Sequence, residues 1–307
     1  MRSRVNLPAL CARALSESMD IRTMTAVVRE IIPSYDIHER TGFPPSLAIP
    51  GVEVARQIVT DVIQENRLLQ LIGSLIDIHE VGIMGRRYPI PHIRTIVQGV
   101  IEKGYLFDQE NRMFVENPAV RKTRNWGALA QGHEYTFAFL RIDIVENSQL
   151  VRSNPAALIQ RAYGALRDIV LTSVEKRNGR VWRWEGDGGL AAFIFADKHQ
   201  KATLAAMEIM HELYIYNQIG CPLSSPLAVR IAVHSGPVEY SENDESLKQS
   251  PTLSQLLEIE EQHTHPQTVT ISSVVKVMLD AVVSSEFVPL SDDAQSMYFG
   301  YNLRWES

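Results

Sequence analysis

Two aspartates, Asp143 and Asp187, are the residues whose types and spacing best suit chemistry. Asp143 closes the apolar run FAFLRIDI, and Asp187 sits in the glycine-bounded turn of VWRWEGDGGLAAF. Carboxylates on two neighbouring strand ends can share a hard divalent cation. Mg²⁺ is commonly held by one or two carboxylates, with substrate phosphates completing its octahedron. Gly186, Gly188 and Gly189 keep the turn bare, which leaves room for a phosphate chain. Strand alternation predicts Arg183, Glu185 and Asp187 on one face and Trp182 and Trp184 on the other. A plainer account fits the same residues: Asp and Gly are what a tight turn demands, and Asp143 can cap a helix. Both accounts stand at this point.

The elements that must position this pair follow from hydrophobic patterning. Residues 135–142 (YTFAFLRI) are apolar on both faces, as a central strand requires. Asn154 and Pro155 open a predicted helix whose stripe is Leu158, Ile159, Ala162, Leu166, Ile169 and Val170. Strands over 180–185 and 190–195 flank the GDGG turn as a hairpin, and a helix over 198–216 leads to a strand at 227–233. The order β-α-β-β-α-β is that of a ferredoxin-like α+β core. A helix (252–263), a strand (268–271), another helix (273–282) and strands at 286–290 and 297–303 extend it.

Residues 1–130 have a different, mostly helical pattern. Helical stripes run through 52–65 and 67–79, and a third helix is predicted from Pro91 to Lys103, ending at Gly104. YLFDQENRMFVE then reads as a hairpin. Three helices and a hairpin outline a winged helix. The predicted organisation is a helical segment and connector (1–50), a winged-helix-like regulatory domain (51–117), a linker (118–134) and the α+β domain (135–307). Arg86, Arg87, His92, Arg94 and the RKTR run at 121–124 could meet a phosphate backbone. However, residues 1–130 hold 16 basic and 14 acidic side chains, so nucleic acid is the less favoured partner.

The 307 residues are 45% hydrophobic and 21% charged, which excludes a disordered chain, and the formal net charge is −6. Two cysteines, Cys11 and Cys221, make neither a zinc site nor a disulfide framework, and a reducing compartment follows. The longest uncharged run, Leu213 to Val229, is broken by Asn, Gln, Gly and Pro, so no membrane span is expected. Arg13 interrupts the apolar part of the N-terminal stretch, which argues against a secretory signal. The expectation is a cytoplasmic protein. His263 and His265 lack a third ligand and read as a solvated turn. Trp126, Trp182, Trp184 and Trp305 read as core or interface aromatics.

Residues 135–272 resemble the class III nucleotidyl cyclase (adenylate/guanylate cyclase) catalytic domain. The resemblance is carried, in order, by FLRIDIVENSQLV, GRVWRWEGDGGLAAFIF, LAVRIAVHSGPVEY and HPQTVTIS. It implies that Asp143, Asp187 and the carbonyl of Ile144 hold Mg²⁺ or Mn²⁺, and that the amides of Val145, Glu146, Asn147 and Ser148, with Gly186 nearby, cradle the phosphates of a nucleoside triphosphate. It also places Arg183 where many purine cyclases carry a base-reading Lys, makes Arg230 and His234 architectural, and implies a homodimer. The chain departs from the family in three places. Glu146-Asn147-Ser148 replaces Gly-Phe-Thr. The helix before HPQTVTIS lacks the family's transition-state Asn and Arg, leaving Arg183, Arg141 or Lys248 as substitutes. Residues 241–250 offer no aligned base-reading Asp. Loss of one such donor typically costs about 10²–10³ in rate. The implied function is slow, metal-dependent conversion of a nucleoside triphosphate to a 3′,5′-cyclic nucleotide and pyrophosphate. The alternatives are a non-catalytic cyclase-homology module that senses a nucleotide or dimerises, and a winged-helix transcription regulator.

Overall fold

The computed structural model describes residues 6–44, 46–109, 112–120, 122–241, 243, 249–291 and 297–303. The chain divides into two units, Met1–Ala128 and Leu129–Ser307. Among the described residues no helix is long and apolar enough to cross a membrane.

Among the described residues the first unit contains the helices α1 (Leu7–Ser18), α2 (Ile21–Ile31), α3 (Ile37–Thr41), α4 (Gly51–Gln64), α5 (Leu68–Glu80) and α6 (Ile93–Ile101). The hairpin β1 (Tyr105–Asp108) and β2 (Met113–Glu116) follows. Asp20 caps α2 by accepting from the Thr23 amide, and Met24, Val27, Val28 and Ile31 form its buried stripe. Val54, Ile58 and Val62 of α4 and Leu71, Ile72 and Leu75 of α5 join the same core. The helix α6 begins at Ile93 rather than at Pro91, because His92 takes a left-handed φ of 61°. Pro91 therefore belongs to a turn. The connector expected within residues 1–50 contains α3, and Tyr35 and Ile49 are buried there.

Among the described residues the second unit is built on a seven-stranded sheet. Its elements are β3 (Glu134–Ile144), α7 (Asn147–Ser153), α8 (Ala156–Glu175), β4 (Arg180–Glu185), β5 (Gly188–Phe193), α9 (Lys198–Ile219) and β6 (Val229–Glu239). They continue with α10 (Pro251–His263), β7 (Thr268–Ser272), α11 (Ser273–Lys276), α12 (Ala281–Ser285), β8 (Val288–Pro289) and β9 (Tyr298–Asn302). The strand order is β4-β5-β3-β6-β7-β9-β8. Within the first four strands every pairing is antiparallel, while β6 and β7 run parallel. This order and the crossovers through α8 and α9 make the expected β-α-β-β-α-β core.

One face of the sheet is covered by α8 and α9. Ala138, Leu140, Ile142 and Ile144 of β3 pack there with Leu166 and Val170 of α8 and Ala202, Ala205, Ala206 and Ile209 of α9. The alanines let α9 lie close to the sheet. The alternate β3 residues, including Phe137, Phe139, Arg141 and Asp143, point to the opposite face, where Arg141 meets Glu260 of α10. The tryptophan expectation fails in part. Trp184 packs with the helix-covered core, whereas Trp182 stacks edge-on against Phe137 and Phe139 on the other face. A register shift between Val181 and Arg183 breaks the alternation. Two further boundaries differ: β5 starts at Gly188, and the helix expected over 273–282 is two short helices.

Candidate functional site

The β3–β5 register sets Asp143 opposite Gly188, and the β3–β6 register sets Asp143 opposite Arg230. Glu185 pairs with Gly188 in turn, so Glu185, Gly188, Asp143 and Arg230 form one row across the sheet. Asp187 precedes Gly188, and its carbonyl accepts from the Ile144 amide at 3.2 Å. The two strand ends that carry the aspartates are therefore tied through the backbone. Gly188 must be glycine at this approach: a Cβ there would lie 2.8 Å from the Ile142 carbonyl oxygen and 3.3 Å from Asp143 Oδ1.

Each carboxylate is already held by a neighbour. Arg230 Nη2 donates to Asp143 Oδ2 at 2.8 Å. Asn147 Nδ2 donates to Asp187 Oδ2, and the Tyr163 hydroxyl donates to Asn147 Oδ1. Burial raises the Tyr163 phenol pKa, and the charges of Asp187 and Asp143 raise it further, so both carboxylates act on one hydroxyl. Asn147 reaches Asp187 because Glu146 takes a left-handed φ of 56° just before α7. Arg230 is also 2.9 Å from Glu260 Oε1, and Arg141 Nε donates to Glu260 Oε2 at 3.1 Å. Glu260 is 1% exposed, and burial foremost raises its pKa despite the two guanidinium groups.

The remaining expected residues fall as follows. Arg183 lies on β4 with Nε 3.3 Å from Glu185 Oε1. The Val145 amide donates to the Ala228 carbonyl at 2.8 Å, so it is not open to a phosphate as expected. Glu146 and Ser148 are exposed and Gly186 forms the turn with φ of 54°. Asn154 does not cap α8: its side chain donates to the Leu150 carbonyl and accepts from the Ser224 amide, while Pro155 precedes the helix. His234 is buried against the Ser272 hydroxyl, which fits an architectural role. Arg230, expected to be architectural, touches Asp143 directly. Arg121, Lys248 and Trp305 lie outside the described residues.

Among the described residues no group of three or more His, Cys, Asp and Glu side chains could hold a metal. A divalent cation here would rest on two carboxylates, a backbone carbonyl and substrate oxygens, a donor set that suits Mg²⁺ or Mn²⁺. Among the described residues no hydrogen-bond donor engages Oδ1 of either aspartate, and the glycine turn adds no side chain. Grooves of about 740 Å³ along α1 and α4, and about 380 Å³ along α5, α6 and Phe107, belong to the first unit and do not touch the aspartates.

Tyr163 and Glu260 were missed in the sequence. Glu260 had a signal: it falls on the buried stripe of α10 with Thr252, Leu256 and Ile259, an unusual place for an acid. Tyr163 had none, since an aromatic beside a helix stripe is ordinary.

No protein-family model matches the chain, and no curated protein matches it. Solved structures similar to it include the monomeric guanylyl cyclase domain of the RhoGC fusion protein from the aquatic fungus Blastocladiella emersonii. That domain is 15% identical, with 56% of this chain and 98% of that one covered, at a TM-score of 0.46. An adenylate/guanylate cyclase/hydrolase from Silicibacter pomeroyi is 18% identical over 56% of this chain and 99% of that one, also at 0.46. The adenylyl cyclase CyaB from P. aeruginosa is 12% identical over 56% and 96%, at 0.45. The α+β architecture given above rests on strand order and register, independently of these likenesses.

Proposed function

We propose that the second unit is a class III nucleotidyl cyclase-like domain that binds a nucleoside triphosphate with Mg²⁺ or Mn²⁺ and slowly forms a 3′,5′-cyclic nucleotide and pyrophosphate. The carrying observation is the position of Asp143 and Asp187 on tied strand ends, each with Oδ1 free of hydrogen-bond donors among the described residues, within motifs that resemble the family's. In that reaction the ribose 3′-oxygen loses its proton to solvent and bonds the α-phosphorus. The bond from that phosphorus to the bridging oxygen breaks, and pyrophosphate leaves. A divalent cation bound by the two carboxylates and the Ile144 carbonyl would activate the 3′-hydroxyl and offset triphosphate charge. Asp143 and Asp187 supply the charge that holds it, and Asn147 fixes the direction of Asp187. Arg183 is the residue we assign to substrate contact, with a second copy of the chain completing the site as a homodimer.

One observation favours a second reading, a nucleotide-binding module without turnover. The helix α10 has neither Arg nor Asn, and Arg141, a candidate substitute, is engaged by Glu260. The test is incubation with each of the four nucleoside triphosphates and Mn²⁺, with products separated by mass, beside calorimetric binding to wild type and Asp187→Ala. A cyclic product that Asp187→Ala loses supports the cyclase. Metal-dependent binding without product supports the module. Nucleotide affinity that is equal with and without metal in both proteins overturns both readings. For the first unit we propose a winged-helix-like regulatory role, with salt-dependent DNA binding as the result that would instead favour a transcription regulator.

A further inference from the structure

A single nitrogen, Arg230 Nη2, serves two carboxylates, at 2.8 Å from Asp143 Oδ2 and 2.9 Å from Glu260 Oε1. The second contact is an ion pair that is not aligned as a hydrogen bond, since Glu260 Oε1 is buried with no hydrogen-bond partner among the described residues. Arg230 Nε is buried and, among the described residues, equally unsatisfied. An unpaired donor and an unpaired acceptor on two side chains already in contact define a second arrangement. In it the guanidinium turns fully onto Glu260, pairs both orphaned atoms, and releases Asp143 Oδ2. Buried polar groups are costly to leave unpaired, so this arrangement is accessible once Asp143 gains another cation.

We propose that Glu260 is a positioning residue for the metal site, an acceptor that draws Arg230 away from Asp143 when a divalent cation binds. This rests on the metal-binding reading above. Without the Glu260 charge, Asp143 is the carboxylate left in contact with Arg230 among the described residues, with Glu261 acting on it from farther off, so Arg230 competes for the Asp143 carboxylate and repels the incoming cation. Arg141 would lose its anchor as well, adding a second uncompensated positive charge near the site.

The probe is Mn²⁺ alone, titrated by electron paramagnetic resonance against the full chain. In Glu260→Gln, which preserves side-chain size, Mn²⁺ affinity should fall by about tenfold or more, the scale of one uncompensated unit charge at contact distance. The double variant Glu260→Gln with Arg230→Gln removes the competing cation and should recover most of that loss. A residue that merely packs α10 onto the sheet would show no such recovery. Wild-type affinity in Glu260→Gln overturns the proposal, as does a double variant that binds no better than the single one. If wild type binds no Mn²⁺, the metal reading itself falls and this proposal falls with it, an outcome distinct from either variant result.

Discussion

The Asn147 side-chain amide donates to Asp187 Oδ2 while its carbonyl oxygen accepts from the Tyr163 hydroxyl. A residue on α8 thus sets, through one intermediary, the direction of a carboxylate at the tip of a hairpin. Outer partners of metal-binding carboxylates typically contribute 10–100-fold in metal affinity. Asn147→Ala is therefore expected to weaken Mn²⁺ binding by about tenfold or more. Tyr163→Phe should weaken it by only a few-fold, since it loses one hydrogen bond worth about 1 kcal/mol. Unchanged Mn²⁺ titrations for both variants would show that the relay does not orient Asp187.

Arg183 is the next test. It stands on the sheet face that carries Arg141 and Asp143, in register with Leu190, which pairs with Arg141. If it contacts substrate, Arg183→Ala should lower turnover or change the preferred base while leaving Mn²⁺ affinity alone. Product ratios across the four nucleotides, measured beside a metal titration, separate these effects. A variant with wild-type rates and base preference removes Arg183 from the site.

The strand order and the aspartate-bearing ends were legible because they depend on local signals. An apolar run buried on both faces marks a central strand, and Gly-Asp-Gly-Gly between strands marks a turn. What was not legible depended on register. The bulge between Val181 and Arg183 moves Trp182 to the opposite face, and a period-two rule cannot foresee one extra residue. The Val145 amide looked open because its partner, the Ala228 carbonyl, lies 83 positions away in the sequence. Arg230 touches Asp143 for the same reason: antiparallel pairing of β3 with β6 joins residues that no local pattern connects. Long-range pairing, rather than propensity, decided each of these.

Two buried histidines set a pH dependence of stability. Burial lowers the pKa of both His199 and His234; Lys198 lowers the former further, while a hydrogen bond with Gln255 opposes the shift of the latter. The unfolded chain then takes up protons at a higher pH than the folded one. Their stabilisation is present above the ordinary histidine pKa of about 6.5 and is lost as pH falls through the lowered folded values. Glu260, raised by burial, acts in the opposite direction, so the comparison must be made against histidine variants. Urea midpoints should drop between pH 7.5 and pH 5.5, and His199→Asn with His234→Asn should show a smaller drop. An equal drop in both proteins would exclude these histidines as the cause.

The hairpin glycines separate space from conformation. Gly188 has no room for a side chain, because a Cβ would press the Ile142 carbonyl at 2.8 Å and crowd Asp143 Oδ1. Gly186 has open space around it but a left-handed φ of 54°. Asn tolerates that region far better than other residues with a Cβ. Gly188→Ala should therefore lose about 1–3 kcal/mol of stability, the usual range for overpacking. Its Mn²⁺ affinity should fall as well, because the strain is relieved against the Asp143 strand end. Gly186→Asn should keep near wild-type stability and Mn²⁺ affinity. Urea titrations and Mn²⁺ titrations on both variants test the pair. If Gly188→Ala folds and binds Mn²⁺ as wild type does, the close approach of the two strand ends is not what shapes the site.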